Sequence, residues 1–135
     1  MDGSDVPDPP APGSYHYVRD EERPVEILVF EVDPADVEGF LRVDHEVWTL
    51  GEAAMPGSNG IPFLSKEVWL CDDRPGEITI VFVWPDRSSW DHVGDQAFQD
   101  RLTAAFDRRF GRPYRLTRAI HEERSIRRWS RFERT

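Results

Sequence analysis

Asp44 and His45 stand together in FLRVDHEVWTL, residues 40–50, where Phe40, Leu41, Val47 and Trp48 mark one face of a helix. A carboxylate and an imidazole are both general acid–base groups, so proton transfer is the first chemistry to consider. On a helical wheel of about 100° per residue, Val37, Phe40, Trp48, Gly51 and Met55 fall within roughly 40° of Asp44. Asp44 is therefore expected at the centre of the buried face. His45 turns about 100° away to the rim, with Glu52 near it at about 80°. Burying an ionised carboxylate without partners costs on the order of several kcal/mol. Asp44 must then be paired, protonated or facing a polar cavity. Lys66, Arg118 and an indole N–H are the candidate partners. A pair alone makes Asp44 structural, whereas a pocket between helix and sheet makes it a general base or acid assisted by His45 or Lys66.

Aromatic residues gather around the same region. Trp69 and Trp84 belong to neighbouring strands, and Trp48 and Trp90 to the helical layer. With Phe40, Phe63 and Phe82 they either line a substrate pocket or fill the core. Their indole N–H groups need acceptors, for which Asp44 and Glu67 are candidates. His92 lies near Asp91 and Asp95 without a recognised ligand spacing. Helix-start acids explain these two aspartates, and no metal site is assigned. The chain has no nucleophile elbow, phosphate loop or dinucleotide fingerprint.

Elements must hold these residues in place. Val25–Val32 reads as a buried strand. Asp33 and Pro34 then open a helix running to about Met55, where PGSNGIP stops it. Phe63–Cys71 and Ile78–Trp84 are two further strands joined by the turn DDRPGE. Ser88 or Ser89 is a candidate cap for a short helix holding Trp90. Asp95 starts a longer one, with Phe98, Leu102, Phe106 and Phe110 at i+4 spacing and an end at Gly111. YRLTRAIHEE is the fourth strand. Ile126, Trp129 and Phe132 recur every third residue, which fits a short helix or an arm on a neighbour. The order β-α-β-β-α-β is ferredoxin-like α+β, with helices over one face of a four-stranded antiparallel sheet. ITIVFVW is apolar throughout, so its strand is expected to be buried on both faces. One chain covers only one face, and a homodimer packed sheet on sheet would cover the other.

The chain has 135 residues, enough for a single core. Its net charge of -9 argues against nucleic acid and anionic membrane as partners. The charge is uneven: from Arg108 onward ten arginines face three glutamates, and the rest is strongly acidic. That basic end either neutralises the acidic body or a partner subunit, or forms an anion site. Three parts are expected: a disordered Pro/Asp-rich tail at 1–23, the folded domain at 24–121 and an Arg-rich arm at 122–135. The single cysteine, Cys71, fits a cytoplasmic location. The N-terminus lacks the basic and apolar regions of a signal peptide, and no apolar run approaches a membrane span.

Several of these residues form a pattern. Asp44 and Trp48 in DHEVWT, Pro56 and Gly57 after the helix, and Phe63, Lys66, Glu67 and Trp69 in FLSKEVW belong to it, with Trp84 and Trp90 in WPDRSSW. The pattern resembles the dimeric α+β barrel superfamily, and within it proteins of the antibiotic biosynthesis monooxygenase type. It is most similar to an uncharacterised bacterial family there, over about residues 25–120. SNGIP is an insertion relative to that pattern.

The resemblance implies a cofactor-independent small-molecule enzyme, a monooxygenase acting on an apolar or polyketide-like substrate between helix and sheet. Asp44, His45 and Lys66 would be its catalytic residues. Phe40, Trp48, Phe63, Trp69, Phe82, Trp84 and Trp90 would contact substrate. Acid–base cyclases, isomerases and non-catalytic binders share the fold and remain alternatives. Haem degraders of the superfamily carry a helical His and a strand Asn. Here Leu102 takes the former position and VEILVFEV has no Asn, although His45, His92 and His121 remain candidate axial ligands for simple haem binding.

Overall fold

Strand β2 (Arg23–Val32) is the spine of the molecule. Its side chains alternate between two faces, as extended backbone requires. Glu26, Leu28, Phe30 and Val32 face the helices, while Val25 and Ile27 join a smaller cluster on the other face. The computed structural model describes residues 6–57 and 60–135. Within it β4 (Arg74–Val83) runs antiparallel to β2, with Glu26 opposite Phe82 and Leu28 opposite Ile80. β3 (Ser65–Cys71) lies on the far edge of β4 and sets Lys66 opposite Phe82. β5 (Tyr114–Ala119) pairs with the other edge of β2. The order β3-β4-β2-β5 is the ferredoxin-like one, and every pairing is antiparallel.

The sheet has a fifth strand beyond the four expected. The segment YRLTRAIHEE is not one strand: β5 stops at Ala119 and a short helix, α5 (Ile120–Glu123), follows. The chain then returns as β6 (Ile126–Arg128), which pairs with Arg23–Val25 on the edge of β2 that β5 has vacated. This pairing gives otherwise open backbone groups of β2 their partners.

The first helical segment is also not uniform. Asp33 caps a 3-10 turn at Pro34–Asp36 by accepting from the Ala35 N–H at 2.9 Å. Helix α1 (Val37–Val43) leads into a π-helical turn over Asp44–Thr49, and α2 (Leu50–Ala53) completes the segment. Downstream, α3 (Arg87–Val93) is capped by Asp86, which accepts from the Ser89 N–H at 2.8 Å, rather than by a serine. Asp95 caps α4 (Gln96–Phe110) as expected, and Gly111 ends it at φ 62°, a left-handed conformation natural to glycine. Phe40, Phe106, Phe110 and Tyr114 pack edge to face between this helix and the sheet. Strand β4 is buried on both sides, as its apolar run suggests, with Ile80 and Phe82 inside and Val81 and Val83 outside.

The expected tail gives way to order at Tyr15. β1 (Tyr15–Val18) pairs with β7 (Arg131–Arg134), and Tyr15 stacks on Phe132 with ring centres 4.9 Å apart. Ladder bonds and ring contact hold it where composition alone offered no core. Residues 6–14 are exposed. Ile126 and Phe132 thus sit on strands, and their threefold spacing does not form a helix. The first five residues of the expected tail, and Ser58 and Asn59 of the inserted loop, lie outside the described residues.

Candidate functional site

A cavity of about 420 Å³ opens between the helices and the sheet. Leu28, Phe30, Ile80 and Phe82 form its floor, with Phe40, Trp48 and Phe106 above. Into these apolar walls project the buried or half-buried carboxylates Glu26, Asp44 and Glu52, while the exposed Glu122 is a fourth acid of the lining. Gln99, Thr103, Tyr114 and His121 complete the polar lining.

The π turn explains why two acids of one helix share this cavity. The Leu50 N–H bonds to the His45 carbonyl, an i→i+5 contact that widens the turn. Each residue there advances less than the 100° of an α-helix. Eight residues from Asp44 to Glu52 then close nearly whole turns, and Glu52 comes to lie beneath Asp44 instead of at the rim. Both are only 6% exposed. A Cβ at Gly51 would meet Leu102 Cδ2 of α4 at 2.9 Å, so the two helices lie close together there.

Lys66, the chain's only lysine, donates to Asp44 Oδ2 at 2.7 Å and to Thr49 Oγ1 at 2.6 Å. Both members of the ion pair are 8% exposed at the side chain. The ammonium also lies 5.1 Å from the centre of the Phe82 ring. Burial still raises the Asp44 carboxyl above the usual range, with Lys66 pulling it down. Glu26 is partly open to the cavity and accepts from Trp84 Nε1 at 3.1 Å. Protein crowds the carboxyl closely enough that burial pushes it up to about 7, against the Trp84 hydrogen bond and the charge of Lys66. Glu52 rises to about 8, first through burial and then through the neighbouring charge of Glu26. Its Oε2 has no hydrogen-bond partner.

Three acids share one lysine, so full ionisation would leave two uncompensated negative charges in an apolar space. Near neutrality the cavity retains protons instead: Glu52 is protonated and Glu26 is close to its midpoint. This places a carboxylic acid beside a carboxylate that can accept a proton, between largely apolar walls. Among the described lining residues there is no arginine or lysine, so an anionic ligand has no counter-charge there.

Of the residues expected from sequence, Asp44, Phe40, Trp48 and Phe82 line this cavity. Lys66 reaches Asp44 from the other side of the helix, where a second hollow holds His45, Thr49 and Phe63. His45 is exposed there and is no partner for Asp44 in the main cavity. Trp84 is fully buried and stacks on Trp90 at 6.0 Å, behind Glu26 rather than on the wall. Trp69, opposite Thr79, falls on the outer parity of β3, is 53% exposed and donates to Glu67 Oε1. Phe63, Trp69, Trp84 and Trp90 therefore do not form the expected shared pocket. Glu26 belongs to the cavity although sequence reasoning did not name it, while Glu52 was expected at the helix rim and His121 only as a candidate haem ligand. Glu26 had a readable signal, as the acid sharing parity with Leu28, Phe30 and Val32. The place of Glu52 and His121 on the cavity wall had none, since one depends on the π turn and the other on α5.

No protein-family model matches the chain, and no curated protein is similar to it. Among solved structures, an antibiotic biosynthesis monooxygenase-like protein from Caulobacter crescentus CB15 is similar at TM-score 0.50 and 11% identity, over 87% of this chain and 92% of that one. A conserved protein from Methanosarcina mazei Go1 has TM-score 0.49 and 15% identity, over 79% and 93%. SnoaB, a cofactor-independent oxygenase from Streptomyces nogalater, has TM-score 0.48 and 15% identity, over 85% and 94%. The likeness to the Caulobacter protein is one of fold.

Proposed function

We propose that this chain is a cofactor-independent small-molecule enzyme that moves protons on a flat, largely apolar substrate held between helix and sheet. The observation that carries this reading is the Glu26–Glu52 pair: two carboxyls raised to about 7 and about 8 on the wall of an apolar cavity. Ionised Glu26 takes a proton from a carbon beside a carbonyl or phenol. Protonated Glu52 donates to the oxygen on which charge collects. The roles first expected of Asp44, His45 and Lys66 pass to these two, and the Asp44–Lys66 pair positions the helix against β3.

The substrate carbanion then has two fates. Return of the proton at another carbon gives isomerisation or cyclisation. Addition to dioxygen, followed by protonation, gives a hydroperoxide that loses water, so a CH2 becomes a carbonyl and the second oxygen leaves as water. The name of the Caulobacter protein of like fold favours oxygenation. A second copy packed on the outer sheet face would cover Trp69, and light scattering on the purified protein tests it: a dimer is expected and a monomer overturns it.

The functional test uses a panel of anthrone-like and naphthol-like probes under air, followed by oxygen electrode and mass spectrometry. Turnover is expected with uptake of one dioxygen per product, and isomerisation would persist without oxygen. Glu52→Gln and Glu26→Gln should each lower turnover by about 10²-fold or more in folded protein. Unchanged turnover in both variants would refute the assignment.

A further inference from the structure

Glu52 Oε2 is buried without a hydrogen-bond partner, so a proton that passes between it and solvent must travel through a neighbouring group. One titratable ring touches both the interior and a way out. His121 lines the main cavity together with Glu26 and Glu52, and it also lines a separate hollow of about 280 Å³ between β2, α3 and β6. Its ring lies 5.3 Å from that of Trp90, tilted by 59°. Its Nδ1 is buried and has no hydrogen-bond partner. A buried nitrogen without a partner is a feature that the packing of the ring does not account for.

We infer that His121 is the proton relay between the interior carboxyls and solvent. The inference rests on the acid–base reading above. As the interior equilibrates with solvent, His121 takes a proton from the interior carboxyl at one ring nitrogen. It then releases the proton on its other nitrogen to water in the outer hollow. Tautomer exchange returns the ring to its starting form, so no charge accumulates. The α5 helix gives the ring this position, because it interrupts the sheet edge where a continuous strand would have closed the wall. The charged groups around the ring are Glu26, Glu52 and Glu122 inside, and Glu22, Arg87 and Arg127 outside. Arg87 is held by Asp91 at 2.9 Å and Arg127 by Glu22 at 3.1 Å, so neither offers a competing route for the proton.

The test needs no substrate. A pH jump across 7 to 8 is followed by time-resolved infrared absorption of the protonated-carboxyl stretch, in wild type and in His121→Phe. The variant should protonate its interior carboxyls at least about tenfold more slowly with an unchanged equilibrium midpoint, and added imidazole should restore the rate. A rate equal to that of wild type overturns the relay and leaves the acid–base reading standing. A shifted midpoint with a lowered melting temperature assigns His121 a structural role and also overturns it. If His121→Phe does not fold, His121→Gln keeps a polar side chain without a relaying ring and is read in the same way. A wild-type spectrum with no carboxyl titrating between pH 6 and 9 refutes both readings.

Discussion

Two acids on one helix sit in the same cavity under opposite conditions. Asp44 has Lys66 at 2.7 Å and Thr49 sharing the same ammonium, so its charge is compensated. Glu52 is equally buried but has the charge of Glu26 beside it and no partner at Oε2. Burial raises both carboxyls. The difference is that an ion pair makes Asp44 a fixed joint between the helix and β3, whereas the missing cation leaves Glu52 holding a proton near neutrality. Burial thus selects the place, and pairing decides whether a group is a joint or an acid.

The contrast can be broken most severely at the lysine. Lys66→Met should destabilise the fold by about 3–5 kcal/mol in urea unfolding at pH 7, by leaving the buried Asp44 uncompensated. Asp44→Asn on that background should recover much of the loss. A neutral Lys66→Met would instead mean that Asp44 is protonated like Glu52, and the distinction would collapse.

The next effect is read against pH. The Glu52 carboxyl is raised from 4.5 to about 8 in the folded state, so folding favours its protonated form. The stabilisation from this group is complete below the unfolded value and is lost as pH rises through the folded one. Between these values its share of the slope is up to about 1.4 kcal/mol per pH unit. Glu52→Gln should remove that slope and be more stable than wild type at pH 9, while matching it near pH 4. Parallel slopes for the two proteins would remove the basis for Glu52 as an acid.

A smaller change is expected at Trp84. Trp84→Phe removes the donor that lowers Glu26, so the infrared midpoint of that carboxyl should rise above about 7. The lost hydrogen bond should cost about 1–3 kcal/mol in thermal unfolding. The smallest effect belongs to His45. His45→Ala should change stability by no more than about 0.5 kcal/mol and leave the Glu26 and Glu52 titrations in place. A collapse of activity in that variant would move the chemistry to the hollow on the Lys66 side.

Part of this arrangement was legible from residue order. The periodicity of Phe40, Asp44 and Trp48 placed a carboxylate on a buried face, and Lys66 was among its three candidate partners. The alternation in VEILVFEV also held Glu26 on the parity of Leu28 and Phe30. The tryptophans misled because large aromatic residues look alike in a core, on a pocket wall or on an outer sheet face. Trp69 and Lys66 are three residues apart on one strand, hence on opposite faces. The end of β5 at Ala119 and the pairing of β1 with β7 escaped, since both depend on partners far along the chain.

By itself, then, the sequence determined the order of the four central strands and the two helical regions between them, and the burial of Asp44. Hydrophobic spacing reports which face each element buries, and that is a local property. Tertiary structure alone decided that Glu52 turns inward, that Glu26 lies beside it and that His121 reaches both cavity and exterior. Those outcomes depend on one i→i+5 hydrogen bond, on strand register and on how many protein atoms surround each carboxyl. None of these is set by neighbours in the chain, because a proton affinity raised by burial exists only once the distant walls have closed around it.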